Sequence, residues 1–506
     1  MSIFHKFDPC QVGWQMGTSK WPRGAGDLWV RWERTTGIIG PQGSGKTLDC
    51  LIPALLQAPG AALVTLTKPQ DMLLSWTARS QRGPCVVLDP FGLTTGMPEL
   101  VFDPIEGCVD PQVAERRAKA WTAGTVKGGA QGGQSDDAAR FYANEAAKVL
   151  QCYLHAAALT GGDLDEVLEW VANPLGTSRP TDILRNHEHA APHWAGLLEG
   201  ALRGDPRAAG NTTATVHQSM SLFFQEKIRR RCVPGPGRPA TDIAQLIEQG
   251  GTIYLLGRED PYASASPLMT AVAEHVLDTA LELAAASPWG RLCPPILASL
   301  DELPSTAPLP TLQTRMANER ALGISIQWAA QTRAQLNRLF GEDEARSMIG
   351  LTNNLVVFGG SKDVRFNQEL SDLMGDVRVA RHSWQSGTKP GRSTQGDDIA
   401  VMTGSEIREL DQGTVLVLAE NAKPIIAKVR RCIAGRSGAQ LLADQQELRG
   451  VLATERAGSV SPRARAVAAI AAAHRDGLTR QDPASPRTPT ATTPTDSPYS
   501  FDPYEV

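Results

Sequence analysis

The run Gly40-Pro41-Gln42-Gly43-Ser44-Gly45-Lys46-Thr47 constrains this chain more than any other feature. It is a full match to G-x-x-x-x-G-K-[ST], a pattern that works only where a β-strand turns into an α-helix. Its glycines let the backbone wrap a phosphate with N–H groups pointing inward, Lys46 supplies a point charge, and Thr47 offers a hydroxyl to Mg²⁺. The flanks agree, since Thr36–Ile39 reads as the end of a strand and Leu48–Leu56 as an apolar helix. These eight residues are the candidate nucleotide site, with ATP and Mg²⁺ as its ligands.

Short, continuous apolar runs then recur along the chain: Ala62–Leu66, Cys85–Leu88, Thr252–Leu256, Ile296–Leu300, Ile324–Trp328 and Leu355–Phe358. Such runs are what strands covered on both faces look like. Helix-like segments such as Pro267–Ala286 and Glu342–Ile349 lie between them. The alternation predicts an α/β domain with a mostly parallel sheet.

Two regions break the alternation. From Asp110 to Arg231 there is almost no strand signal, and the Ala- and Leu-rich segments Ala114–Ala123, Asp136–Leu159, Asp163–Ala172, Trp194–Leu202 and Thr213–Ile228 predict an inserted all-helical domain that leaves through Val233–Pro239. From about Gly477 the chain is rich in Pro, Thr, Ser and Asp and cannot bury enough apolar area to offset ordering entropy, which predicts a disordered tail preceded by a helix at Arg463–Ala473. The expected division is 1–108 and 240–450 for the two parts of the nucleotide-binding domain, 109–239 for the insertion and 451–506 for the helix and tail.

A P-loop needs an acid on a neighbouring strand. Ile296–Leu300 ends in Asp301-Glu302, with Asp301 expected to reach Mg²⁺ through water and Glu302 to polarise the attacking water. The second acid separates a hydrolase from a nucleotide binder. Gln331 follows the next strand and reads either as a residue sensing the γ-phosphate or as a helix N-terminal residue. Arg320, ahead of that strand, reads as a surface charge or, at a subunit edge, as an arginine finger.

Composition narrows the classes. Lys and Arg number 50 against 54 Asp and Glu, so a globally basic nucleic-acid coat is excluded, while a local basic groove is not. Lys227-Ile228-Arg229-Arg230-Arg231 is a compact basic run, readable as a solvated face or a DNA-backbone contact. His187, His189 and His193 have metal-like spacing, but Pro192 interrupts them and the reading is a solvated loop. The 8 cysteines form no C-x-x-C pair, and no stretch approaches the ~18–20 apolar residues of a membrane helix, so a soluble protein of a reducing, cytoplasmic compartment is expected.

Taken together, the motifs resemble the TraG/TraD-type coupling ATPases of conjugation and type IV secretion, particularly an actinobacterial branch. Gly40–Thr47 with Ile52-Pro53, Thr65-Leu66-Thr67-Lys68-Pro69, Val86–Gly92 and Thr252–Gly257 carry the likeness. So do Asp301-Glu302 with Pro308-Leu309-Pro310, Arg320 with Gly323, Gln331 with Gln335-Leu336, Asn353-Asn354 and Glu406–Leu410. The likeness runs from Trp32 to Arg430. It implies a RecA-like P-loop fold, a homo-hexameric ring with ATP between subunits, and DNA, single-stranded, passing through the pore. Implied partners are a relaxase or relaxosome and type IV secretion components, with the insertion contributing to substrate recognition. Arg320 is then the trans-acting arginine and Gln331 the sensor. Members of the family begin with membrane-spanning helices, which this sequence lacks, so a separate membrane partner or a cytoplasmic role is implied. Readings left beside this one are a P-loop motor for protein substrates, a DNA packaging or segregation motor, and a non-hydrolytic adaptor.

Overall fold

A computed structural model of the chain describes residues 8–24, 26–126, 134–257, 264–385 and 391–456. Its centre is an 11-stranded sheet in the order β2-β1-β13-β12-β9-β3-β8-β7-β4-β6-β5. The strands are β1 (Gly13–Trp21), β2 (Asp27–Arg31), β3 (Thr36–Ile39), β4 (Ala62–Leu66), β5 (Cys85–Leu88), β6 (Thr252–Leu256), β7 (Ile296–Leu300), β8 (Ile324–Ala330), β9 (Asn354–Phe358), β12 (Thr414–Ala419) and β13 (Ile425–Val429). A separate hairpin pairs β10 (Asp376–Gln385) with β11 (Gly391–Ala400). From β9 to β5 every pairing is parallel, and from β12 to β2 every pairing is antiparallel.

The parallel strands are buried on both faces, which is why their sequences are continuous apolar runs. Alternate residues divide between two cores. Ile39, Leu63, Val86, Leu255 and Leu300 face one, and Ile38, Val64, Val87, Tyr254 and Leu297 face the other. Helices Ile52–Gln57, Pro69–Ser80 and Gly435–Arg456 cover the second face, where a buried Arg79 donates to the carbonyls of Ala58 (2.7 Å) and Gly60 (2.7 Å) and to Thr252 Oγ1 (2.8 Å). A helix C-terminus leaves carbonyls without partners, and a cation suits them. Arg79 thereby anchors the far end of the helix that leaves the P-loop.

The first face carries the helical stretch between β5 and β6. These are the helices Pro111–Ala123, Gln134–Thr160, Leu164–Ala172, Arg179–Asn186, Trp194–Arg203, Pro206–Met220 and Glu226–Cys232, and the second of them is central, buried from Ala146 to Ala157 except at Lys148. His155 joins the layers. Ala191 N–H donates to its Nε2 (3.0 Å), leaving Nδ1–H to donate to the Cys108 carbonyl (2.8 Å). The insertion shares one continuous core with the sheet, since Trp121, Tyr153 and Phe223 lie in the same cluster as Val86, Leu255 and Ile326.

Several expectations need adjustment. The expected single helix over Thr213–Ile228 is broken, with a 3₁₀ turn at Ser221–Phe224 and extended backbone at Gln225. Phe223 turns inward onto Trp121 (5.7 Å between rings), whose indole N–H takes the Ser219 carbonyl (2.9 Å), so the helix ends there. The four antiparallel strands of the sheet were not among the expected ones, although β12 carries a plain apolar run, Val415–Ala419. In β1, Gly13 and Gly17 sit where a Cβ would lie 2.4 Å from the Val30 carbonyl oxygen and 2.2 Å from that of Lys428, and glycines of this kind erase the strand pattern. The helix Gly435–Arg456 crosses the boundary expected at 450. The expected helix at Arg463–Ala473 and the tail lie outside the described residues.

A pH dependence follows from one buried ring. His275, on the helix Ser266–Ala286, packs on Phe102 (5.6 Å) and receives a hydrogen bond from Arg117 (3.4 Å). Burial, then the Arg117 charge, lowers its pKa to about 4. The folded state therefore holds the neutral ring. That stability is fully present above the unfolded value near 6.5 and is lost as pH falls from there toward 4, by about 3 kcal/mol at most. Urea midpoints measured from pH 7 down to pH 4 should fall over this window, and His275→Gln should flatten the fall.

Candidate functional site

The site lies at the carboxyl edge of three neighbouring strands, β3, β8 and β7. Parallel register levels their ends, with Ile39 beside Ala330 and Leu300 beside Trp328. The P-loop leaves β3, Gln331 leaves β8 and Asp301-Glu302 leave β7, so motifs separated by hundreds of residues converge in the crevice where open α/β sheets bind ligands.

The loop has the shape its composition demands. Gly43 and Gly45 take φ values of 77° and 110°, and a Cβ on Gly45 would lie 2.2 Å from Asp49 Oδ2. The next turn, Thr47–Leu51, is wound as a π-helix before the α-helix Ile52–Gln57 begins. Lys46 is buried and donates to the carbonyls of Gly40 (2.7 Å) and Pro41 (3.2 Å). Burial lowers its pKa, while Glu302 and Asp301 pull it back up. Ser44 Oγ is buried and, among the described residues, has no hydrogen-bond partner. A glycine cradle with an unsatisfied hydroxyl and a lysine turned onto its own carbonyls fits a phosphate chain.

Thr47 Oγ1 donates to Asp301 Oδ2 (2.7 Å), so the two oxygens expected at Mg²⁺ already meet. Burial raises the Asp301 pKa, opposed by the Thr47 hydroxyl and the Lys46 charge, and Thr65 Oγ1 donates to the Asp301 carbonyl (3.0 Å). A cation beside such a carboxylate would offset its desolvation, so this donor set fits Mg²⁺. Glu302 stands in the left-handed region at φ 48° and ψ 44°, where a non-glycine residue is strained. Gln331 Nε2 donates to Glu302 Oε2 (3.0 Å). Thr332 caps the following helix in a capping box with Gln335, so Gln331 lies just outside that helix with its amide on Glu302.

Arg320 is elsewhere. It opens the 3₁₀ turn Arg320–Leu322 at the amino end of β8, and β8 has 7 residues. At about 3.3 Å per residue the strand puts ~20 Å between Arg320 and the chain's own P-loop edge. The basic run is largely spent on ion pairs within the chain, with Arg229 on Asp165, Arg230 on Glu226 and Arg231 on Glu99. Among the described residues, no three His, Cys, Asp or Glu side chains are grouped to hold a metal, the His187–His193 loop included.

Sequence reasoning missed Asp49 and Arg431. Asp49 is buried in the first turn after Lys46, and Arg431 Nε donates to its Oδ1 (2.8 Å) from 382 residues away. A carboxylate inside an otherwise apolar turn was the available signal, but nothing local names its partner. Asp71, beyond β4, was missed too, and burial raises its pKa against the opposing charge of Lys68.

Residues 295–412, which include Asp301, Glu302, Arg320 and Gln331, match a family model described as the TraM recognition site of TraD and TraG. The bacterial conjugative coupling protein TrwBdeltaN70, in its unbound monoclinic form, superposes with a TM-score of 0.59 and 21% identity over 79% of this chain and 85% of that one. The fold is that of the TraG/TraD-type coupling proteins. The plasmid coupling protein TrwB in complex with ADP and Mg²⁺ is similar at a TM-score of 0.57 and 21% identity, over 79% of this chain and 86% of that one. The same protein with the ATP analogue ADPNP is similar at a TM-score of 0.57 and 20% identity over the same shares. No curated protein sequence gives a significant match. The likeness accounts for the large, mostly parallel sheet with its covering helices. Among the described residues, no helix is long and apolar enough to cross a membrane.

Proposed function

We propose that this chain is an ATP-hydrolysing DNA translocase of the coupling-protein kind, which delivers DNA with its attached relaxase to a conjugation or type IV secretion apparatus. The observation that carries the reading is the Glu302 carboxylate, set in strained backbone beside Gln331 and next to the Thr47–Asp301 contact. Gly40–Thr47 hold the phosphates through backbone N–H groups and Lys46, and Thr47 and Asp301 hold Mg²⁺. The metal supplies charge neutralisation on the phosphates. Glu302 orients the attacking water and accepts its proton, and Gln331 keeps that carboxylate aimed and reads the γ-phosphate from the neighbouring strand end.

Arg320 lies too far from its own P-loop to serve it, which supports its action on the nucleotide of a neighbouring subunit in a homo-hexameric ring with DNA in the pore. On this reading 1–108 and 240–456 form the motor, the end being moved to keep the helix Gly435–Arg456 whole, and 109–239 the recognition module for the relaxosome. The protein works in the cytoplasm, and a separate membrane partner links it to the secretion components.

One observation favours a second reading. Arg229, Arg230 and Arg231 are paired with acids of the same chain, which lowers the net positive charge of that run and suits a motor for protein substrates. Steady-state ATP hydrolysis by the full chain, with and without single- and double-stranded DNA, separates the two. Stimulation of about 3-fold or more by DNA is expected. Hydrolysis indifferent to DNA would transfer the proposal to a protein-substrate motor, and absence of hydrolysis would leave an adaptor.

A further inference from the structure

Behind the phosphate-binding loop lies a buried carboxylate. Asp49 is only 2% exposed, its N–H donates to the Gly45 carbonyl (2.7 Å), and its Oδ2 lies 2.2 Å from where a Gly45 Cβ would stand. A negative charge there opposes the work of the loop, because the loop must gather the charge of a nucleotide's phosphates in a site of low effective dielectric. The chain answers with Arg431, just past the end of β13. Its Nε donates to Asp49 Oδ1 (2.8 Å) and its second nitrogen to Oδ2 (3.4 Å), so both carboxylate oxygens are engaged. Among the described residues this is the ion pair of Asp49.

The contact is more than a charge placed nearby. The next residue, Cys432, donates its N–H to the Leu48 carbonyl (2.9 Å), so the segment after β13 holds the π-wound turn through side chain and backbone together. Single π turns are costly and occur mostly where a site requires them. The Arg431 guanidinium also lies against the loop, 3.1 Å from the Gly45 Cβ position.

We infer that Arg431 is a positioning residue of the nucleotide site, acting by neutralising Asp49 behind the P-loop and not by touching the nucleotide. The inference rests on the ATPase reading above. The charge pair lets a carboxylate sit under Gly45, where it fixes the first helical turn without repelling the phosphates. Arg431 suits the task because a planar guanidinium engages both carboxylate oxygens.

The test titrates the full chain with a fluorescent ADP analogue in the presence of Mg²⁺ and measures KM and kcat for ATP. It compares the unaltered chain, Arg431→Gln, Asp49→Asn, the double variant Asp49→Asn/Arg431→Gln, and Arg431→Lys. Arg431→Gln should lose about 10- to 100-fold in affinity, with KM rising by a similar factor and kcat within about 2-fold. The double variant removes the anion with the cation and should recover to within about 3-fold of the unaltered chain, and Asp49→Asn alone should bind at least as well. Arg431→Lys keeps the charge and should recover part of the loss. Recovery in a double variant is not what a merely destabilised fold would give. Should Arg431→Gln not fold, the double variant carries the test, and normal binding by it supports the inference. A loss that the double variant does not repair would mean that Arg431 acts on the nucleotide itself and would overturn the inference, as would full affinity in Arg431→Gln. Absence of binding by the unaltered chain would remove the nucleotide reading and this inference with it.

Discussion

Glu302→Gln lowers steady-state ATP turnover by about 10²- to 10⁴-fold while leaving nucleotide affinity within about 3-fold, the size expected for loss of a general base. The substitution keeps the volume of the side chain and removes its ability to accept a proton. The Gln331 amide donates to Glu302 Oε2 at 3.0 Å, and an amide oxygen in the same place still accepts that bond, though more weakly than a carboxylate, so the local geometry survives. Thr47, Lys46 and Asp301 are untouched and binding persists. The measurement is a turnover assay beside a titration with a non-hydrolysable ATP analogue. Turnover within 10-fold of the unaltered chain would place the base elsewhere.

The largest expected effect on stability lies at Arg315. This arginine, on the helix Leu312–Asn318 between β7 and β8, is almost fully buried and serves three carboxylates. Its Nη2 donates to Glu274 Oε2 (2.7 Å) and Asp278 Oδ1 (2.5 Å), and its Nη1 donates to Glu319 Oε1 (3.0 Å). Glu274 and Glu319 are themselves buried. Arg315→Met keeps much of the volume but leaves acids in the interior without their cation, at a cost of about 3–5 kcal/mol. The melting temperature should fall by roughly 5 °C or more. Replacing Glu274 and Glu319 by Gln and Asp278 by Asn in the same chain should return most of the loss, because the uncompensated charges go with it. Arg320→Ala, five positions on and half-exposed, should leave the melting temperature within about 1 °C. The contrast distinguishes a structural arginine from the one proposed to act in trans.

Much of the architecture was legible because it rests on short-range chemistry. The runs Ala62–Leu66, Cys85–Leu88, Thr252–Leu256 and Ile296–Leu300 are strands with the expected bounds, since a strand covered on both faces must be apolar throughout. The P-loop is legible for the same kind of reason, as Gly43 and Gly45 occupy backbone conformations that glycine adopts without strain. Strands β1 and β2 were illegible because their signal is divided between glycines at close crossings and one exposed edge, whereas β12 carries an apolar run that the same reasoning should have found.

Residue types at fixed local spacing are enough to specify the G-x-x-x-x-G-K-T loop, the acids at the end of β7, the parallel sheet and the helical insertion. Which distant groups meet was set by the fold. It placed Gln331 on Glu302, sent Arg320 to the far edge, gave Arg315 its three acids and brought Arg431 to Asp49 across 382 residues. Strand order and crossover paths set those meetings, and buried charge makes them energetically decisive, since an ion removed from water is tolerated only where a partner from elsewhere in the chain arrives to meet it.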